Sequence, residues 1–227
     1  MRLPKPYYQD DFATIYCGDC REILPLLPKA DLILTDPPYG VSYRPLPARR
    51  KSRWLVAPIY GRELTVGDER QFDPGFLLNA ALALVLWGAN HYADRLPARA
   101  SWLVWDKNGG LARLYGQSTF ADCELAWRSD GRSARIFPYL WNGFLRAGEE
   151  GRKPRLHPTQ KPVALMSWCL ERFPRAALIL DPFMGSGTTL VAAKRRQRKC
   201  VGIEILPKYC EIARRRLAQE VLQLPAS

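Results

Sequence analysis

The segment Ala177-Leu-Ile-Leu-Asp-Pro-Phe-Met-Gly-Ser-Gly-Thr-Thr189 constrains the fold more than any other stretch of this chain. Four apolar residues end at an acid, a glycine turn follows, and 188–198 has helical character. A fully apolar run this short is the mark of a strand buried on both faces, which needs helices above and below it. Thr14–Cys17, Leu32–Thr35, Ala83–Leu86, Ser101–Trp105, Cys123–Trp127 and Val201–Ile205 read as further strands. Between them, Asp73–Leu82 and Pro162–Phe173 read as helices, with Pro162 suited to a first turn. A last helix starts at Pro207 and carries Tyr209, Ile212, Ala213 and Leu217 on one face. Such alternation predicts an α/β sheet covered on both sides.

In sheets of this class ligands bind beyond the carboxyl ends of the strands. Gly185 and Gly187 permit a tight turn and close backbone approach, and Thr188 or Thr189 is placed to cap the following helix. No Lys-Ser/Thr follows in the register of a phosphate-binding loop, and the full G-x-G-x-x-G is absent. Val201-Gly-Ile-Glu204 ends the next strand with a carboxylate able to accept both hydroxyls of a ribose. Asp181, Gly185, Ser186, Gly187, Thr188 and Glu204 together suggest a cofactor that contains adenosine but no pyrophosphate. S-adenosylmethionine fits that description.

Leu32-Ile-Leu-Thr-Asp-Pro-Pro-Tyr-Gly40 is a second strand end, stopped by two prolines that have no amide hydrogen. The carbonyls of Pro37 and Pro38 are free acceptors beside the Asp36 carboxylate and the Tyr39 ring. An amino group on a nucleobase is a poor nucleophile, because its lone pair is delocalised into the ring. Two acceptors on its two hydrogens, Asp36 and the Pro37 carbonyl, localise that pair for in-line attack on a methyl sulfonium. Tyr39 can stack on the base, worth roughly 1–3 kcal/mol. Holding the partners in a near-attack arrangement supplies much of the acceleration. No metal is required.

The charge balance names the partner's sign. Lys and Arg total 34 against 22 acidic residues in 227, a net charge of +12. That excess points to nucleic acid. No stretch approaches the ~18 apolar residues of a membrane span, and MRLPKPYYQDDF lacks the apolar core of a signal peptide, so a cytoplasmic protein with no membrane partner is expected. Cysteines 17, 20, 123, 169, 200 and 210 are read as thiols, with neither a zinc site nor a redox pair. Length and composition predict one domain over 1–227 with two elaborated basic loops, 41–71 and 130–156.

Asp36-Pro-Pro-Tyr39 together with Asp181-Pro-Phe-Met-Gly-Ser-Gly-Thr-Thr189 resembles the DNA methyltransferases that act on exocyclic amino groups. The catalytic motif comes first and the cofactor motif last, the permuted order of their beta group. His157-Pro-Thr-Gln-Lys-Pro162 and Cys17-Gly-Asp-Cys20 resemble two further motifs of that group. The resemblance implies a Rossmann-like methyltransferase fold, a mostly parallel seven-stranded sheet with one reversed strand. It implies a catalytic set of Asp36, Pro37, Pro38 and Tyr39. It places Phe183, Gly185 and Gly187 around the methionine part of the cofactor, Glu204 on the ribose and Asp19 on the adenine amino group. Thr159 and Lys161 are expected at the methionine carboxylate. Asp at the head of the tetrapeptide favours N6-adenine, where Ser favours N4-cytosine. Relatives of this kind often dimerise, and neither a dimer interface nor a restriction-nuclease partner is readable here.

Family members carry a sizeable target-recognition region where this chain has only 130–156, which predicts a short recognition sequence or weak selectivity. Arg132, Arg135 and Arg146, with Arg152 and Arg155, are expected at phosphates or guanine edges of double-stranded DNA. Phe137, Tyr139 and Trp141 are read either as rings that stack where a base leaves the duplex or as rings packed on the core. Arg49, Arg50, Lys51 and Arg53 suggest a strand-clamping loop. Lys194–Lys199 and Arg214–Arg216 read as solvated faces, and His157 as a packing or hydrogen-bonding residue. An RNA or protein-glutamine substrate would go with Asn at position 36 and the opposite motif order. A DNA-binding protein without catalysis would not need Asp36, Tyr39, Gly185 and Gly187 intact.

Overall fold

A computed structural model describes residues 2–41, 66–98, 101–111, 121–142, 145–148, 156 and 160–221. Its strands are β1 (Tyr8–Gln9), β2 (Ala13–Cys17), β3 (Ala30–Thr35), β4 (Ala81–Trp87), β5 (Ser101–Asp106), β6 (Cys123–Arg128), β7 (Arg135–Pro138), β8 (Trp141–Asn142), β9 (Leu145–Arg146), β10 (Leu178–Asp181) and β11 (Lys199–Glu204). Nine of them form one sheet in the order β1-β2-β11-β10-β3-β4-β6-β5-β7, while β8 and β9 pair separately. Within it β2, β11, β10, β3, β4 and β5 run parallel and β6 is reversed between β4 and β5. The expected seven strands are therefore present with one reversed, and β1 and β7 extend the sheet at its two edges.

Successive residues of the central strands are buried on opposite faces. Ile15, Leu32, Leu34, Val85, Trp87, Leu103 and Trp105 point to one side, against the helices α2 (Val163–Glu171), α3 (Thr188–Arg195) and α4 (Pro207–Val221). Tyr16, Ile33, Leu84, Leu86, Trp127 and Ile203 point to the other, against the short helix α1 (Cys20–Ile23), Leu77 and Tyr92. Among the described residues no helix is long and apolar enough to cross a membrane.

Three sequence expectations are corrected. Asp73–Leu82 is not a helix: Pro74, Gly75 and Leu77 accept isolated three-residue turns, the Asp73 carboxylate takes the Gly75 amide at 2.9 Å, and β4 already begins at Ala81. Gly and Asn residues in so short a run cannot sustain helix nucleation. The helix expected over 188–198 stops at Arg195, because Gln197 adopts a left-handed φ of 54° and Arg198 turns back to donate to the Leu170 and Phe173 carbonyls. Its cap is Gly187, not a threonine. Finally, two cations read as solvated are tied into the structure, Lys194 buried and Arg216 half-buried. Lys194, 2% exposed, pairs with Asp10 and donates to the Leu217 carbonyl at 3.1 Å. Arg216 donates from α4 to the Ser186 carbonyl at 2.7 Å and to Thr188 Oγ1 at 3.1 Å.

Candidate active site

Parallel pairing brings the ends of β2, β11, β10, β3 and β4 to one sheet edge. Asp181 lies opposite Gly202, Glu204 opposite Cys17, and Thr35 opposite Leu86. Asp19, Asp36, Asp181, Glu204 and Gly88 therefore line a single rim. The reversed β6 starts at this rim, with Glu124 opposite Trp105, and so delivers a further carboxylate to it.

On the glycine side, Gly185 and Gly187 have left-handed φ values of 50° and 78°. A Cβ on Gly187 would stand 2.8 Å from the Ala213 Cβ, so α4 packs directly on the turn. Glu204 accepts the Gly185 amide at 3.1 Å and the Leu206 amide at 2.8 Å, which leaves further lone pairs on the same two oxygens. Burial, with the nearby charge of Asp181, raises its carboxyl to about 7. Asp181 is 3% exposed, accepts from Thr35 Oγ1 at 2.6 Å and from the Phe183 amide at 3.1 Å, and burial lifts it to about 6. The bond from Thr35 joins the glycine loop to the residue before Asp36. Phe183 packs edge-on against Phe72 and Phe76, and Asp19 caps α1 through the Arg21 amide at 2.8 Å. Left-handed glycines, an acid with spare acceptors and an aromatic wall at one rim fit an adenosyl sulfonium.

On the proline side, Gly40 turns the chain at φ 82°, and Asp68 pins the turn through the Gly40 amide at 2.8 Å. The Tyr39 hydroxyl donates to Asp36 Oδ1. Its ring stacks on His91 at 5.1 Å and 15°, and it occupies the space where Gly88 lacks a side chain. Lys161, 6% exposed, donates to Asp36 Oδ2 at 2.6 Å and to the Tyr39 hydroxyl at 3.1 Å, and stands 3.1 Å from Glu124 Oε2. Lys107 holds Glu124 Oε1 at 2.9 Å. Burial, with Glu124 adding, raises Asp36 above the usual carboxylate range, against the pull of Lys161. For Glu124 the two lysines outweigh burial and bring it down to about 2.

Lys161, expected at the cofactor's carboxylate, is brought by the structure to the tetrapeptide's acid. Glu124, Lys107, His91, Gly88 and Asp68 had no assigned chemistry in the sequence. A lone acid in the otherwise apolar run Cys123–Trp127 was the one readable signal for Glu124.

The aromatic rings of the recognition segment stack on one another. Trp141, 3% exposed, lies under the Arg146 guanidinium at 5.3 Å and beside Tyr139. Tyr139 stacks on Phe137 at 5.6 Å, and Phe137 on Trp168 of α2 at 5.1 Å. The ladder therefore runs from Trp141 through Tyr139 and Phe137 to Trp168, with Trp141 buried and Tyr139 half-buried. Arg135 begins β7 opposite Leu103, three residues before the rim end of β5, so it lies about 10 Å down the strand from the rim, and Arg132 precedes it. There, with Arg128 and Arg172, they line an open cleft of about 560 Å³. Arg49, Arg50, Lys51, Arg53, Arg152, Arg155, His157 and Thr159 lie outside the described residues.

Comparison with known proteins converges on one family. The family described as DNA methylase matches residues 100–215. YubD of Escherichia coli (strain K12) is 31% identical over 219 residues, covering 88% of each chain. The type II methyltransferase M.ScaI of Streptomyces caespitosus is 24% identical, covering 98% of this chain and 86% of its own. Among solved structures, the cytosine-N4-specific PvuII DNA methyltransferase aligns with a TM-score of 0.58 at 17% identity, over 93% of this chain and 88% of that one. The M1.HpyAVI–SAM complex aligns with a TM-score of 0.51 at 24% identity, over 90% and 100%. With acids and a glycine turn meeting a proline-ended tetrapeptide at one rim, the chain belongs to the N6/N4 amino-methyltransferases, enzymes that use S-adenosylmethionine on DNA.

Proposed function

We propose that this enzyme methylates N6 of adenine in double-stranded DNA, with Asp36, Pro37, Pro38 and Tyr39 as the catalytic set. The observation that carries the reading is the half-buried Asp36 carboxylate beside a fixed Tyr39 ring. A carboxylate at this position goes with adenine in the resemblance described above. The target amino group is paired inside duplex DNA, so the base must leave the helix to reach the rim. Tyr39 then takes a face of the base, and Asp36 and the Pro37 carbonyl accept its two amino hydrogens. That holds the nitrogen lone pair toward the glycine side of the rim.

Glu204, Asp19, Phe183, Gly185, Ser186, Gly187, Thr188 and Asp181 are the residues that would hold S-adenosylmethionine, whose sulfonium supplies an electrophilic methyl group when bound. Glu204 accepts the ribose hydroxyls on its remaining lone pairs, and Phe183 and the acids favour the positive sulfur. Incubating the protein with labelled donor and duplex DNA, then digesting to nucleosides, should yield N6-methyldeoxyadenosine. N4-methyldeoxycytidine as the product would overturn the adenine assignment, and no label in DNA would overturn the catalytic reading.

Donor affinity should rise with pH. Only ionised Glu204 accepts from both hydroxyls, and its carboxyl is half-protonated at about pH 7 in the free protein. Binding must expel that proton below this value and need not above it. Asp181, at about 6, acts in the same direction at lower pH. Affinity at pH 8 should exceed that at pH 6 about tenfold, and Glu204→Gln should flatten the profile. Calorimetric titration across this range checks both. An affinity that falls with pH would remove Glu204 from the donor site.

A further inference from the structure

Both oxygens of Asp36 are already taken. Tyr39 donates to Oδ1, and Lys161 donates to Oδ2 at 2.6 Å. A base whose amino hydrogen is to be accepted by Asp36 has to displace one of these donors. Tyr39 is the fixed one, stacked on His91 and seated on Gly88. Lys161 has somewhere to go. Glu124 Oε2 is buried, lies 3.1 Å from its Nζ, and yet takes no aligned hydrogen bond from it. Lys107 fixes the other oxygen of Glu124 at 2.9 Å, so this open acceptor does not wander.

We propose that Lys161 is a displaceable plug on Asp36 and that Glu124 is a positioning residue which receives the ammonium when the target amino group enters. The proposal rests on the catalytic reading of Asp36 given above. A buried cation stripped of its partner is strongly destabilising. Passing it from one carboxylate to another about 3 Å from the ammonium avoids that cost and leaves the charge of the group unchanged. Glu124 can play this part only because β6 is reversed, which brings its first residues to the catalytic rim.

The charged and titratable groups that face Asp36 are Lys161 ahead of α2, Glu124 on β6 with Lys107 behind it, Asp181 on β10, Tyr92 after β4, and Tyr39 with His91 against it. Removing different members shifts the acid limb of the kcat/KM profile in opposite directions. In Lys161→Met, Asp36 loses its cation, so the limb should move up by about one pH unit. In Glu124→Gln, Asp36 loses a like charge and keeps Lys161 more firmly, so the limb should move down.

The discriminating result is that Glu124→Gln should also lose about tenfold in kcat, with donor affinity within about twofold of the wild type. A residue that merely braced the fold would lower kcat without a downward limb. Lys107→Met offers a second upward shift should Lys161→Met not fold, since Glu124 then draws Lys161 away from Asp36. The proposal is overturned if both limbs move the same way, or if Glu124→Gln keeps full kcat. Wild-type protein that leaves DNA unlabelled would instead overturn the catalytic reading itself.

Discussion

Asp36→Ala should lower kcat for methyl transfer about 10²- to 10³-fold, the usual cost of removing one preorganised hydrogen-bonding partner of a reacting group. Donor affinity should be unchanged, because the glycine turn, Glu204 and Asp19 do not touch Asp36. The loss belongs to kcat: the acceptor acts on the amino nitrogen as its lone pair is recruited, not on the rest of the duplex. The Pro37 carbonyl remains in the variant and holds one amino hydrogen, so a residual rate should persist above background. Asp36→Asn keeps one acceptor oxygen without the charge and should fall between the two. Single-turnover assays with saturating donor measure these rates directly. An Asp36→Ala variant with wild-type kcat would remove the tetrapeptide's acid from the chemistry.

Much of this rim was legible in the sequence because a parallel strand reports its own end. Leu32–Thr35 and Ala177–Leu180 are apolar runs that stop at an acid. The sheet rule then places both acids at one edge with no further information. The register adds only detail: Asp181 meets Thr35 through a hydrogen bond between β10 and β3. What the sequence hid are contacts that depend on tertiary packing. Lys161 lies 125 residues from Asp36, and its choice of partner follows from where α2 begins. Glu124 is functional only if its strand is reversed, and nothing within Cys123–Trp127 encodes direction. The aromatic run 137–141 shows the opposite limit. Its composition serves a base-stacking wedge and a packed ladder equally well, and the stack of Phe137 on Trp168 is a tertiary contact that composition does not encode.

The second large effect is expected at Gly88, which touches no reacting group. Its φ of 67° is a left-handed conformation, and the structure places the Tyr39 ring where its side chain would be. A Cβ there would lie 1.9 Å from Cε1 and 2.2 Å from Cζ of the ring. Backbone strain at a left-handed alanine is about 1–2 kcal/mol, which the core around Trp87 and Ala89 can absorb. The overlap with Tyr39 cannot be absorbed without moving the ring. The ring would leave its stack on His91, and its hydroxyl would leave Asp36 and Lys161. Gly88→Ala should therefore cost about 10- to 100-fold in kcat, in line with about 1–3 kcal/mol for a lost base stack. A double-mutant cycle isolates the cause. In a Tyr39→Ala background the ring is gone, and Gly88→Ala should then cost less than about threefold more. Equal losses in both backgrounds would mean that the glycine serves the backbone alone, and that Tyr39 is not held by the floor beneath it.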